Sequence, residues 1–388
     1  MFAKILQKQL DYTIKSTTDK FIKLYKSYND KISMTTETHD FKPMQQKIPI
    51  SIDGLYDKNS YLNISFCKLT THTHVVLNIT PKVTCTIDFY HKKDEKLLMK
   101  CIKRIYTMIN VFGNKTHINK YDGTSFYILL FNAPRIMTAH YRKTSNEINV
   151  IGKKNYFNCT CGYASLMSNK PPFTICVTRK NGCLGLLVHE MCHMCEMDLG
   201  EFKDNEYIFP YNRLSDWKQF MKTYFDLAPS CKIGNMTEGI NNGNSSIIHA
   251  MFVTLENNID KQSCEKELIN EYKQNYAKEL LHSINQMLLL LQWFKYKSFN
   301  ELLSKNTCKY TQTSMLFEYI IVRCIYLINF SDLDLFTRTI KQKEDRKYLQ
   351  IFINKLRASI PYIDECLHTM PKSSVANKTI ISMEYYAL

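Results

Sequence analysis

Two histidines and a glutamate in the spacing HExxH, namely His189, Glu190 and His193, are the residues of this chain best suited to chemistry. On an α-helix, side chains four residues apart project from one face, so both imidazoles can bind the same metal ion. A glutamate beside such histidines can take a proton from a metal-activated water and pass it to a leaving amine. The pattern predicts a Zn²⁺ site with His189 and His193 as ligands and Glu190 as the general base of peptide hydrolysis.

The segment that contains the motif, GLLVHEMCHMCEMDLGEF (185–202), is apolar before the first histidine and follows a β-rich region. These features predict a buried helix. The alternative is an ordinary core helix whose histidines hydrogen-bond to nearby carbonyl groups. Burying two imidazoles and a carboxylate without a role is energetically costly, which favours the metal site.

A catalytic zinc site takes three ligands from the protein, so the sequence must supply one more. The best candidate is Glu238 in NMTEGINNGNSSIIHAMF (235–252). Alternatively, Asn235 and Glu238 form a capping box at the start of a helix. Asn241 and Asn242 follow one turn later; they favour a ligand role because asparagine is a poor helix former, and either could orient a ligand. Other carboxylates that could serve are Glu201, Glu206 and Glu256.

Several residues near the motif have two interpretations. Cys192 and Cys195 form a C-x-x-C pair, but packing as free buried thiols is favoured over metal ligation. Asp198 would hydrogen-bond to a liganding imidazole or to the backbone, or lie in solvent. Arg179 would pair with an acidic residue. Candidates for stabilising a transition state by hydrogen bonding are His249, Tyr207 and Tyr211.

The residue pattern predicts β-strands before the motif and helices after it. Stretches with β-branched or aromatic residues, in alternation or in short apolar runs, predict strands at 74–80, 82–90, 125–131, 147–152 and 172–178. A helical pattern begins at Lys93 and ends at Gly113. Beyond Gly200, helical patterns cover 215–225, 237–257, 264–296, 313–328 and 331–358.

This order of elements predicts an α+β protein in three parts. Residues 1–60 form a helical arm or linker, in which MTTETHDFKPMQQKIPIS (34–51) is a linker or surface arm. Residues 61–200 form an α/β subdomain that ends in the HExxH helix. Residues 201–388 form a helical subdomain that supplies the third ligand.

Composition limits the classes of protein that fit. With 388 residues, 45% of them hydrophobic, the chain can bury a large core. The longest apolar run (287–294) is shorter than the roughly 20 residues of a membrane span. The charged N-terminal stretch does not resemble a secretory signal. Without one, the 14 cysteines predict free thiols and an intracellular protein, in the cytoplasm or, for a viral protein, in the virion.

The HExxH motif, the strand-rich region before it and TEGINN (237–242) together resemble the zincin metallopeptidases, and the gluzincins in particular. The segments ICVTRKNGCLGLLVHEMCHMCEMD (175–198) and MTEGINN are also similar to uncharacterised HExxH proteins of large DNA viruses. Metzincins are excluded because Glu196 and Leu199 stand where that class has a glycine and a histidine.

This resemblance implies a zincin-like fold with an N-terminal mixed β-sheet, a C-terminal helical subdomain and an active-site cleft between them. The cleft would bind a protein or peptide substrate. In such a fold an edge strand aligns the substrate, a role expected of EINVIG (147–152) or its neighbour. The third zinc ligand would come from a later helix, here through Glu238.

Three other functions are open to the sequence. An SprT-like protease acting on DNA-bound protein would fit the net charge of +15, but such proteins usually have a third histidine where Arg213 stands in NRLSDW (212–217). A zincin-like fold could also keep zinc for stability alone, as a viral structural or interaction protein. Finally, KQKEDRK (341–347) could contact nucleic acid, although its interleaved acidic residues are typical of a solvated helix face.

Overall fold

The structure of the protein is a computed structural model. It describes residues 2–43, 68–131, 139–141, 148–150, 162–165, 171–180, 182–197, 201–203, 206–208, 236–258, 264–293, 295–303, 310–312, 318–334 and 345–369. Within these ranges the fold is α+β, as the sequence predicts.

A six-stranded mixed sheet forms the first half of the fold. In spatial order its strands are β1 (Ser33–Asp40), β2 (Thr71–Thr80), β3 (Val83–His91), β4 (Ser125–Phe131), β8 (Thr174–Arg179) and β7 (Gly162–Ser165). Strands β3, β4 and β8 run parallel, whereas β1, β2 and β7 pair antiparallel with their neighbours. Alternation follows the sequence: Val75, Leu77 and Ile79 of β2 are buried, and the residues between them face outward.

Two smaller sheets accompany the main one. A three-stranded sheet contains β5 (Ala139–Tyr141), β6 (Ile148–Val150) and β11 (Tyr310–Gln312), with β6 in the centre. A short hairpin is formed by β9 (Glu201–Lys203) and β10 (Glu206–Ile208).

Helices make up most of the remaining described chain. They are α1 (Phe2–Asn29), α2 (Glu95–Phe112), α3 (Cys183–Met194), α4 (Met236–Asn257), α5 (Glu265–Trp293), α6 (Phe299–Leu302), α7 (Arg323–Ile328), α8 (Phe330–Leu333) and α9 (Asp345–Thr369), with a 3-10 helix at Lys115–Tyr121 and a π-helical turn at Glu318–Val322. Each helix in the described ranges is too short or too polar to cross a lipid bilayer.

Helix α3 carries the HExxH motif and lies between the sheet and the helical half. It packs against β7 and β8 on one side and against α4 on the other. One contiguous hydrophobic core runs from the sheet through α3 into the helices. The motif is therefore held by both halves of the fold.

The N-terminal segment is more integrated than its polar sequence suggests. The predicted linker or surface arm at 34–51 is wrong at its start, because Ser33–Asp40 is the edge strand β1. Helix α1 packs against α2, α5 and α8, and its Phe21 stacks on Tyr272 with ring centroids 5.1 Å apart. Most residues of β1 are exposed, so this strand lacks the alternating apolar residues from which strands are predicted.

Several predicted elements are confirmed, and two need correction. The strands predicted at 74–80, 82–90, 125–131 and 172–178, and the helices predicted at 93–113 and 237–257, begin and end within three residues of the observed elements. However, 147–152 supplies β6 of the small sheet, so β7 forms the edge of the main sheet beside α3. The helix predicted at 331–358 is two helices, α8 and α9. The helix predicted at 215–225 lies outside the described residues.

Candidate metal centre

The two histidines of the motif lie on one face of α3. The rings of His189 and His193 are nearly perpendicular, at 85°, with centroids 5.0 Å apart. Both residues are buried, with 2% and 7% of their surface exposed. Glu190 is also buried and lies between them in the chain. The apolar residues that surround the motif explain why this helix forms in the core.

Glu238 approaches the same two histidines from the first turn of α4. Its Oε2 atom lies 3.4 Å from Nε2 of His189 and 3.4 Å from Nε2 of His193. The three side chains form a group that could hold a metal ion. Residue 235, the partner in the alternative capping box, lies outside the described residues, and the Glu238 carboxylate faces the histidines.

The distances from Glu238 to the two histidines are compatible with a bound metal ion. Two ligands bound at about 2.0–2.1 Å to a tetrahedral ion lie about 3.3–3.4 Å apart, which matches both distances from Glu238. A direct N–H···O hydrogen bond would be shorter, at about 2.9–3.0 Å. Two imidazole nitrogens and one carboxylate oxygen are also a common zinc ligand set. The residues present therefore fit the ion.

The charge state of Glu238 suits a metal ligand. Burial opposes its ionisation, but the electrostatic effect of the two neighbouring imidazoles, that of His193 foremost, lowers the pKa of the carboxyl group well below its usual range. The group is accordingly an anion near neutral pH, and an anionic oxygen is the form that binds a cation.

Tyr319, which sequence reasoning missed, contacts two members of the group. Its hydroxyl donates a hydrogen bond of 3.2 Å to Oε2 of Glu238. Its ring meets the His189 ring edge-on, with centroids 5.8 Å apart. Tyr319 lies in the π-helical turn that precedes α7, and such turns are frequent at functional sites. Its sequence context, FEYIIV, reads only as a buried helix.

The asparagine-rich stretch of α4 ties this helix to the HExxH segment. Asn241 Nδ2 donates to the carbonyl oxygen of His189 over 2.9 Å. Asn244 Nδ2 donates to the carbonyl oxygen of Met197 over 2.8 Å, and Oδ1 of the same residue accepts from the Tyr326 hydroxyl over 2.7 Å. Asn241 thus contacts His189 at its backbone carbonyl group and not at its imidazole. These contacts explain why poor helix formers occupy a buried helix.

Two glycines let α4 approach the helix that carries Tyr319. A Cβ atom on Gly239 would lie 2.5 Å from the carbonyl oxygen of Glu318, and one on Gly243 would lie 2.3 Å from the Tyr326 ring. The spacing of four residues places both glycines on one face of α4. This close packing brings Tyr319 within reach of Glu238.

Two residues proposed for the site have other partners. Nδ1 of His249 accepts a hydrogen bond of 2.8 Å from Arg104, and Oε1 of Glu256 accepts one of 2.7 Å from the same guanidinium. His249 and Glu256 thus bind Arg104, and Glu256 is not a member of the group formed by His189, His193 and Glu238. Both lie further along α4, and the sequence does not reveal their common partner on α2.

The cysteines of the C-x-x-C pair pack in the core. Cys192 and Cys195 are buried, as are most of the nine described cysteines. Burial raises the pKa of Cys195 to about 12, so it remains a protonated thiol. Other predicted site residues lie outside the described residues, wholly or in their side chains: Arg179, Asp198, Glu201, Glu206, Tyr207 and Tyr211.

The HExxH helix ends at Met194, and Glu196, two residues further on, stands where metzincins have glycine. Glu196 adopts a left-handed conformation with φ of 57°, which is unfavourable for a residue with a side chain. Its carboxylate pairs with Lys120, and both side chains are almost completely buried. This ion pair fastens the end of α3 to the sheet half of the fold.

A second group of two histidines and a carboxylate lies on the outer face of the main sheet. Oδ1 of Asp88 is 2.8 Å from Nε2 of His72 and 3.0 Å from Nδ1 of His74. The His72 ring stacks on Tyr90, with centroids 4.5 Å apart. The two histidine side chains are partly exposed, unlike those of the buried group.

Comparison of the chain with models of known families, with curated proteins and with solved structures finds no match. Functional inference therefore depends on the geometry of the site.

Proposed function

We propose that this protein is a zinc-dependent endopeptidase of the gluzincin type, with His189, His193 and Glu238 as the zinc ligands. The observation that carries this proposal is the position of one Glu238 oxygen, 3.4 Å from each of the two imidazole nitrogens. The HExxH motif adds a carboxylate, Glu190, that is not needed to complete the ligand set.

The roles of the residues follow from the chemistry of peptide hydrolysis. A zinc ion, when bound, would act as a Lewis acid toward the scissile carbonyl and toward a water molecule. Glu190 would accept a proton from that water and return it to the leaving amine. Tyr319 would hold the Glu238 carboxylate in place through the hydrogen bond that its hydroxyl donates.

The edge of the main sheet at β7 is where we expect a peptide substrate to bind. Strand β7 packs against α3, and one of its edges pairs antiparallel with β8. An extended peptide could add to the other edge through main-chain hydrogen bonds, which bind many sequences. We therefore assign to β7 the substrate-aligning role expected at 147–152.

Replacing Glu190 with Gln tests the proposal, because the amide cannot act as a base. We expect hydrolysis of casein or a peptide library to fall about 10²- to 10⁴-fold while bound zinc stays at one ion per chain. Glu37→Gln, on the exposed strand β1, is the matched control and should leave the rate unchanged. Absence of zinc from the wild-type protein would disprove the metal site.

The same experiment distinguishes the strongest alternative, a zinc site kept only for stability. In that case the wild-type protein binds zinc but shows no hydrolysis for Glu190→Gln to remove. The burial of the ligand group is the observation that favours this alternative. An SprT-like enzyme is less well supported, since a glutamate and not a third histidine lies beside His189 and His193, and residues 212–217 lie outside the described part.

A further inference from the structure

Arg104 of α2 is a fully buried arginine that joins the two helices of the candidate metal centre. Its Nη1 atom donates to the carbonyl oxygen of Leu184, in the first turn of α3, over 3.0 Å. The same atom donates to Nδ1 of His249 over 2.8 Å, and Nε donates to Oε1 of Glu256 over 2.7 Å, both on α4. One guanidinium thus bonds to the HExxH helix and to the helix that carries Glu238.

The partners of Arg104 are held in the states that these bonds require. A guanidinium can only donate, so Nδ1 of His249 must carry no proton. Burial, together with the positive charges of Arg104, Arg323 and Lys100, lowers the pKa of His249 well below its usual value, so the ring is neutral. The arginine is further enclosed by Phe252, whose ring centroid lies 5.0 Å from its Cζ atom.

Arg104 makes one of three side-chain hydrogen bonds to the main chain of the HExxH segment. Main-chain carbonyl oxygens of Leu184, His189 and Met197 each accept a hydrogen bond, from Arg104, Asn241 and Asn244 respectively. The two asparagines belong to α4, and Arg104 is bound to it. Leu184 lies about 7.5 Å along the helix from His189. Arg104 therefore holds the N-terminal end of α3, whereas the asparagines bond to residues further along the segment.

We propose that Arg104 is a positioning residue for the metal centre. Its guanidinium group bonds to both α3 and α4 and so fixes how the two helices cross, which sets the distance between Glu238 and the two histidines. The inference rests on the proposed metal site. It goes beyond it by assigning the control of ligand spacing to a residue of a third helix, remote from the ligands in sequence. Residues that orient metal ligands typically change affinity 10- to 100-fold when replaced.

The test replaces Arg104 with Lys, which keeps a positive charge for Glu256 but has no planar fork to serve both helices. Zinc affinity and the visible absorption spectrum of the cobalt-substituted protein are measured below the melting temperature. We expect affinity to fall about tenfold and the cobalt bands to shift, since they report ligand geometry. Wild-type affinity and bands in this variant would overturn the inference.

Leu356→Ala on α9 is the control for general destabilisation. Leu356 is buried, and its helix packs against α5, α6, α7 and α8. This variant should lower the melting temperature without changing zinc affinity or the cobalt spectrum. If it weakens zinc binding as much as Arg104→Lys does, Arg104 is only a structural residue and the inference fails.

A second pair of variants covers the case in which Arg104→Lys does not fold. His249→Gln keeps an oxygen that can accept from Arg104, whereas His249→Leu removes the acceptor. We expect the Leu variant to bind zinc more weakly than the Gln variant, and equal affinities would contradict the inference. Failure of the wild-type protein to bind zinc or cobalt would instead refute the proposed metal site itself.

Discussion

The described part of the chain contains two groups made of two histidines and one carboxylate, and they differ in spacing. In the sheet group, Asp88 Oδ1 lies 2.8 and 3.0 Å from nitrogens of His72 and His74, which are hydrogen-bond distances. In the buried group, the corresponding two distances to the Glu238 oxygen are both 3.4 Å. In the sheet group, Asp88 bonds directly to both histidines. In the buried group, the longer distances leave room for an ion between Glu238 and the histidines.

The difference comes from how each group is built. Asp88 and His74 are directly opposite on paired strands, where Cβ atoms are about 4.5–5.5 Å apart, so their side chains meet. Glu238 belongs to a helix that hydrogen bonds from Asn241 and Asn244 tie to the HExxH segment. Residue types alone therefore do not define a metal site; the elements that hold them apart do.

The largest predicted effect is on zinc binding. We expect His193→Ala to weaken zinc affinity by more than about 100-fold, beyond the loss typical of residues outside the ligand set. His74→Ala, the matched change in the sheet group, should alter affinity less than about twofold, since its partner forms a direct hydrogen bond. Calorimetric titration with zinc measures both. Equal losses would show that the spacing does not distinguish the two groups.

A second prediction concerns stability. A ligand at 100 times its Kd stabilises the folded state by about 2.7 kcal/mol, so zinc should raise the melting temperature of the wild-type protein. Glu238→Gln should remove most of this gain because it removes an anionic ligand. Asp88→Asn should keep it, which thermal unfolding with zinc and with a chelator will show. A gain that persists in Glu238→Gln would mean that another residue is the third ligand.

The part of the site that sequence predicts is local. His189, Glu190 and His193 can be assigned because four residues of helix fix their relation before any tertiary structure is known. Glu238 required a guess between a cap and a ligand, since both use a carboxylate in the first turn of a helix. The structure favours the ligand role through a contact across about 45 residues.

Other parts of the site were beyond sequence reasoning because they depend on long-range packing. Tyr319 reaches Glu238 only because Gly239 and Gly243 let two helices come close. Arg104 lies 80 residues before its partner Leu184, in a helix whose charged residues read as a solvated face. For the fold, apolar alternation identified most of the main sheet, whereas the exposed strand β1 carries no such pattern.

A third prediction tests whether the distance between α4 and α7 maintains the arrangement of His189, His193 and Glu238. In Gly243→Ala the new Cβ would lie 2.3 Å from the Tyr326 ring, so α4 and α7 must separate. Such overpacking typically costs about 1–3 kcal/mol of stability. We also expect weaker zinc binding, because Tyr326 supports Asn244. Gly113→Ala is the control, since its Cβ would meet Ile109 equally closely at the end of α2; it should destabilise the protein without changing zinc affinity.

The smallest predicted effect belongs to the sheet group and appears only in acid. Burial opposes the ionisation of Asp88, but hydrogen bonds from His72 and His74 lower its pKa below the usual value of 3.8. Its contribution to stability is therefore complete above that value and is lost as the pH falls through the lower pKa of the folded state. Urea unfolding at pH 6 and pH 3 measures this loss.

Asp88→Asn should remove that part of the acid dependence, by less than about 1 kcal/mol because the group is partly exposed to solvent. Asp19→Asn, at an exposed position of α1, should leave the acid dependence as it is in the wild-type protein. An unchanged acid dependence in Asp88→Asn would show that its two hydrogen bonds contribute nothing to stability. The two groups would then differ in spacing alone, and the shorter distances on the sheet would have no energetic meaning.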